Sequence, residues 1–107
     1  MFGSFFDTSA IDAFAREVAA ELAKTLPPAL CESDSKAARK GREQADGRLQ
    51  RHIDTLLATK RLNVYQKAQL GLRLQDALEA AGYASGFAKR FAYEVVAQVA
   101  QGAKAGP

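Results

Sequence analysis

The chain has 107 residues, of which 48% are hydrophobic and 25% charged; this composition is typical of one soluble globular domain and excludes wholesale disorder. A single cysteine and a single histidine exclude an intramolecular disulfide and a typical zinc site, so we predict no cofactor. No apolar run reaches the length of about 18 residues that a membrane-spanning helix needs, and the N-terminus lacks the basic region of a secretory signal. We therefore expect a cytoplasmic protein that does not bind membranes.

The net charge of +3 is unevenly distributed along the chain. Residues 1–35 carry six acidic and two basic side chains, a net charge of −4, whereas residues 36–73 carry ten basic and three acidic side chains, a net charge of +7. The total charge is too small to indicate nucleic-acid binding by itself. Its concentration in the middle third of the chain makes nucleic acid a partner to consider.

The first predicted helix spans about residues 8–26. Asp7 or Thr8 can cap it by accepting hydrogen bonds from its free backbone amides. Apolar residues at helical spacing form one face of this helix: Ile11, Phe14, Val18, Leu22 and Leu26. Pro27 and Pro28 end the helix, because the residue before a proline is displaced from the helical region of backbone space.

The polar segment that follows, residues 29–47, is ambiguous. Its Ala, Arg, Lys, Glu and Gln residues favour helix, whereas Gly41 and Gly47 each disfavour it by roughly 1 kcal/mol relative to Ala. Either the segment is a mobile connector or frayed helix and a second helix begins near Arg48, or that helix already begins at Lys36. In both cases the helix ends near residue 61, and its apolar face comprises Leu49, Ile53, Leu56 and Leu57.

A third helix is predicted over about residues 64–81, between Asn63, which can cap it, and Gly82, which can end it in a left-handed conformation. One face is apolar: Leu70, Leu74, Ala77, Leu78 and Ala81. A second apolar face, roughly 90–160° away, consists of Val64, Ala68 and Leu72. Either this helix lies at the centre of a bundle, or its second face contacts another subunit.

The fourth predicted helix spans about residues 85–101, with Ser85 as its cap and a disordered tail, 102–107, after it. Its apolar line consists of Phe87, Phe91, Val95 and Val99. No stretch of the chain alternates apolar and polar residues at strand length. The sequence therefore predicts a single all-α domain over residues 1–107, a bundle of about four helices with a basic polar connector after the first.

Two groups of residues are candidate binding sites. Six basic residues could contact phosphates, although a helix would spread them around its circumference: Lys36, Arg39, Lys40, Arg42, Arg48 and Arg51. Five apolar residues could form a partner interface: Phe2, Phe5, Val64, Ala68 and Leu72. His52 lies at the edge of the apolar face of the second helix, where a histidine is usually structural and can meet a carboxylate.

No spacing in the sequence assembles a nucleophile, a base and an orienting group, so we do not predict an enzyme. The favoured hypothesis is a small helical protein-interaction module without catalytic activity, whose excess apolar surface associates with a second copy or another protein. The alternative is a nucleic-acid-binding or regulatory protein that contacts phosphates through residues 36–51. Such binding would weaken steeply as the salt concentration rises.

Overall fold

The computed structural model describes residues 8–31, 33–59 and 62–105. Within these ranges the chain forms five helices and no strand, which confirms the predicted all-α bundle. The helices are α1 (Ser9–Thr25), α2 (Pro28–Cys31), α3 (Lys36–Thr59), α4 (Val64–Ala80) and α5 (Ser85–Ala105). The N-terminal residues of the predicted interface, Phe2 and Phe5, lie outside the described residues.

The predicted polar connector contains two helical segments. The four-residue α2 follows the prolines, and α3 begins at Lys36 and runs without a break through Gly41 and Gly47. Ser35 accounts for this starting point, because its Oγ accepts a hydrogen bond of 3.2 Å from the backbone N–H of Ala38 and so caps the helix. Of the two alternatives that the sequence left open, the structure has the longer helix.

One predicted helix cap, Ser85, is wrong, and the cap predicted for the first helix is only partly tested. Thr8 precedes α1, but its side chain accepts no capping hydrogen bond, and Asp7 lies outside the described residues. Ser85 is the first residue of α5 and not its cap, because the backbone N–H of Ala88 already bonds to the carbonyl of Ala84 at 2.9 Å. The helical ladder therefore starts one residue earlier than a Ser85 cap would allow. At its other end α5 continues to Ala105, into the predicted tail.

Both ends of α4 follow the prediction. Asn63 Oδ1 accepts from the backbone N–H of Gln66 at 2.8 Å, and Gln66 Oε1 accepts from the backbone N–H of Asn63 at 3.1 Å, which completes a capping box. Gly82 has a φ of +102°, and the next residue, Tyr83, donates its backbone N–H to the carbonyl of Leu78 at 3.1 Å. This is the Schellman arrangement that a glycine allows without a Cβ clash.

The core lies along α4, which packs against α5 on one side and α1 on the other, while α3 packs mainly on α1. The fully buried aliphatic side chains come from all four long helices: Ile11, Ile53, Leu70, Leu74, Leu78, Val95 and Val99. Most residues of the inward faces predicted from helical spacing are therefore buried. Ala81 is exposed instead, and four others are only partly buried: Leu57, Ala77, Phe87 and Phe91.

Gly41 determines how closely α3 approaches the end of α1. A Cβ atom at this position would lie 2.3 Å from the carbonyl oxygen of Thr25, a backbone atom that cannot rotate away. Ala38 and Ala45, on the same side of α3, are also buried. Small residues thus let the two helices approach at this end.

Candidate functional site

Among the described residues, the exposed large hydrophobic side chains lie on α4 and α5. In the part of the chain that the structure describes, these are Val64 (83% exposed), Tyr93 (74%), Leu72 (57%) and Tyr65 (36%). Ala68 is exposed as well, so the other described residues do not cover the second apolar face predicted for α4. Helix α4 lies at the centre of the bundle, as one of the two explanations requires, but that position does not bury its second apolar face.

A groove of about 260 Å³ runs between α4 and α5 beside this face, and we call it the α4–α5 groove. Nine residues line it: Lys67, Ala68, Gly71, Leu72, Gln75, Lys89, Ala92, Tyr93 and Val96. Leu72 and Tyr93 are its exposed apolar residues, and several of the others are small. Sequence reasoning missed Tyr93, because its position lies off the apolar line of its own helix and becomes part of an apolar surface only beside α4.

The α4–α5 groove has a positive charge. Lys67 and Lys89 line it, and none of its lining residues is acidic. Neither lysine forms an ion pair with any residue that the structure describes. The groove thus combines exposed apolar side chains with two ammonium groups that its own lining does not neutralise.

A larger groove, of about 560 Å³, lies between α1 and α3, and we call it the α1–α3 groove. Its lining is mixed in character, with charged residues on both helices: Ala10, Ala13, Phe14, Glu17, Glu21, Arg48, Arg51, His52, Thr55 and Leu56. Acidic side chains come from α1, and basic side chains come from α3. The opposite charges of the two helices therefore face each other across this groove.

Glu21 is the centre of the contacts across the α1–α3 groove. Its Oε2 lies 3.1 Å from Nη1 of Arg48, and its Oε1 lies 3.4 Å from Nε2 of His52. The hydrogen bond from Arg48 lowers the pKa of the Glu21 carboxyl below its ordinary value, with a smaller contribution from His52, although partial burial opposes this shift. His52 also lies 4.0 Å from a Glu17 oxygen and packs edge-on against Phe14. These contacts join α1 to α3.

The structure does not gather the six predicted phosphate contacts on one surface. Arg42 donates from Nη2 to the backbone carbonyls of Cys31 at 3.2 Å and Ser33 at 2.6 Å, which fixes the connection between α2 and α3. Arg48 is paired with Glu21. The other four side chains are exposed: Lys36, Arg39, Lys40 and Arg51.

Neither a metal centre nor a membrane span is found in the described ranges: no three His, Cys, Asp or Glu side chains are grouped to hold a metal ion, and no helix is long and apolar enough to cross a bilayer. The chain matches no family model, no curated protein and no solved structure. The proposals below rest on the surfaces of the chain itself.

Proposed function

We propose that this chain is a small helical protein-interaction module without catalytic activity, and that its contact surface is the outer face of α4 and α5. The distribution of exposed large hydrophobic side chains supports the proposal, because those of the described residues all lie on these two helices. Burying apolar surface stabilises a complex by about 25 cal/mol per Å², so an exposed face of this kind favours association.

A second copy of the chain is the partner that the sequence predicts. Val64, Ala68 and Leu72 follow one another at four-residue spacing on the exposed side of α4. A two-fold axis near Ala68 would bring Val64 of each copy close to Leu72 of the other, with the small alanine side chains allowing the helices to approach. The order of large, small and large side chains along this face is therefore compatible with self-association.

Sedimentation velocity at micromolar concentration tests the surface. If a second copy covers it, the wild type sediments as a dimer and Leu72→Glu as a monomer that unfolds at a lower temperature, because association of folded chains stabilises the wild type. The helix content of Leu72→Glu, measured by circular dichroism, should be unchanged, because Leu72 is exposed in the single chain. Gln44→Glu, which adds the same charge at an exposed position of α3, is the matched control and should remain dimeric.

The outcomes separate the parts of this proposal. A dimer that survives Leu72→Glu would place the interface elsewhere and contradict the proposed surface. A wild-type monomer would exclude the second copy, and the surface would then serve a different protein.

Nucleic-acid binding through the basic segment is the second proposal that the sequence carries. It is favoured by the exposed side chains of Lys36, Lys40 and Arg51, which lie within about 60° of one another on a helix of 3.6 residues per turn. The engagement of Arg42 and Arg48 by the chain itself weakens it.

A further inference from the structure

We propose that the α4–α5 groove binds an acidic amphipathic helix of another protein. This inference rests on the proposed function, because it assigns a partner to the same surface. The sequence predicted a second copy as the partner, and the two lysines that the fold brings to the groove are the reason to choose differently.

The shape of the groove suits a helix. An amphipathic helix binds such a groove by inserting apolar side chains at spacings of three and four residues. Leu72 and Tyr93 offer exposed apolar surface to these side chains, while Ala68, Gly71 and Ala92 leave room for them. On α4 the lining residues run from Lys67 to Gln75, a wall of about 13 Å, which matches two to three turns of a bound helix.

The positive charge of the groove favours amphipathic helices that carry acidic residues. Lys67 and Lys89 would attract a helix whose flanks carry glutamate or aspartate. A second copy seated on the groove would instead bring its own two lysines, so four ammonium groups would share an interface whose groove-lining residues include no carboxylate. Like charges brought together in this way oppose association. Complementarity therefore favours an acidic partner over a second copy.

Fluorescence anisotropy with synthetic peptides tests the assignment. The probe is a labelled peptide of about 18 residues, long enough to form several helical turns, with leucine at the amphipathic positions and glutamate and alanine elsewhere. In the matched control peptide each glutamate is replaced by lysine. A labelled generic single-stranded DNA serves as a third probe. We expect saturable binding of the acidic peptide that weakens at near-physiological salt, and none of the basic peptide or the DNA.

Charge reversal at the groove sharpens the test. The double variant Lys67→Glu/Lys89→Glu should bind the acidic peptide about tenfold more weakly than the wild type and should acquire binding of the basic peptide. Lys36→Glu changes an exposed lysine of α3 and should leave the affinity unchanged. Circular dichroism of each variant establishes that the helices are retained.

The possible results divide the two proposals. A wild type that binds no acidic peptide would overturn this inference, whether it is a dimer or a monomer. The proposed contact surface fails separately, if a dimer survives Leu72→Glu. Preferential binding of the DNA, or an equal loss of affinity in Lys36→Glu, would also overturn the inference. Peptide binding that depends on Lys67 and Lys89 supports it.

Discussion

Among the described residues, charged side chains are paired within the chain at the α1–α3 contact and unpaired beside the α4–α5 groove. Across the α1–α3 groove Glu21 is paired with Arg48 and lies near His52, so charges of one helix are matched by those of the other. Beside the α4–α5 groove, Lys67 and Lys89 have no such partner among the described residues, and large apolar side chains face outward. The first region pairs its charges within the chain, whereas the second leaves basic and large apolar side chains exposed.

This contrast follows from how the helices are placed. Helix α4 already buries one side against α1 and α5, and none of the other described helices covers the apolar residues of its opposite side. Helix α3 has a narrow inward stripe, and polar side chains beside it reach across to α1. The single apolar face of α3 is therefore used up in the core, whereas the second apolar face of α4 stays exposed.

The largest loss of stability is expected when a side chain is added at Gly41. In Gly41→Ala the new Cβ would meet the Thr25 carbonyl at 2.3 Å, so α1 and α3 must move apart and their charge pairs must lengthen. Overpacking against rigid backbone costs about 3 kcal/mol of the free energy of unfolding, measured by urea denaturation followed by circular dichroism.

Gly47→Ala is the matched control, because a Cβ at Gly47 meets nothing within 4 Å. Both glycines lie inside α3, so helix propensity alone would stabilise each alanine variant by about 1 kcal/mol. The two substitutions should therefore change stability in opposite directions. Stabilisation by both would contradict the close approach of α3 to α1 at Gly41.

Helical spacing was sufficient to predict the four long helices and most of their inward faces, because burial of an apolar stripe depends on local periodicity. It did not predict α2, and it left the start of α3 open. The capping box at Asn63 and the turn at Gly82 were predictable for the same reason, since each involves neighbouring residues. The role of Gly41 was not, because its contact is with the backbone of another helix. The exposed face of α4 was predicted, whereas the groove required α5 to be placed beside it.

A smaller loss of stability is expected when the hydrogen bond that links the α4–α5 turn to α1 is removed. Tyr83, in the turn between α4 and α5, donates its hydroxyl hydrogen to the carbonyl of Leu26 at the end of α1, at 2.6 Å. Tyr83→Phe leaves that buried carbonyl without this donor and should cost about 1–2 kcal/mol in the free energy of unfolding. Tyr93→Phe removes a hydroxyl from an exposed ring and should cost much less.

The ionisation of Tyr83 gives an independent measure of the same contact. Burial raises the pKa of Tyr83 from 10.0 to about 12, with a smaller effect from Cys31. The neutral phenol is thus favoured in the folded state, and its contribution to stability is complete below pH 10 and is lost as the pH rises towards 12. Ultraviolet titration should show a tyrosine that ionises near pH 12 and is missing in Tyr83→Phe. A titration curve that Tyr83→Phe leaves unchanged in this pH range would contradict the burial of Tyr83.

The smallest effect concerns the charge pairing of the α1–α3 groove. The pKa of the Glu21 carboxyl is lowered from 4.5, chiefly by Arg48. The ionised carboxylate therefore stabilises the fold, and this stabilisation is complete above pH 4.5. It is lost as the pH falls through the lower pKa of the folded state. Glu21→Gln should reduce stability at neutral pH and approach the wild type in acid, measured by thermal unfolding across the acidic range. Glu43→Gln, at an exposed position of α3, removes the same charge and should show no such convergence. Parallel curves for Glu21→Gln and the wild type would mean that the pairing with Arg48 is too exposed to stabilise the fold, and Gly41 would then remain as the main determinant of the α1–α3 contact.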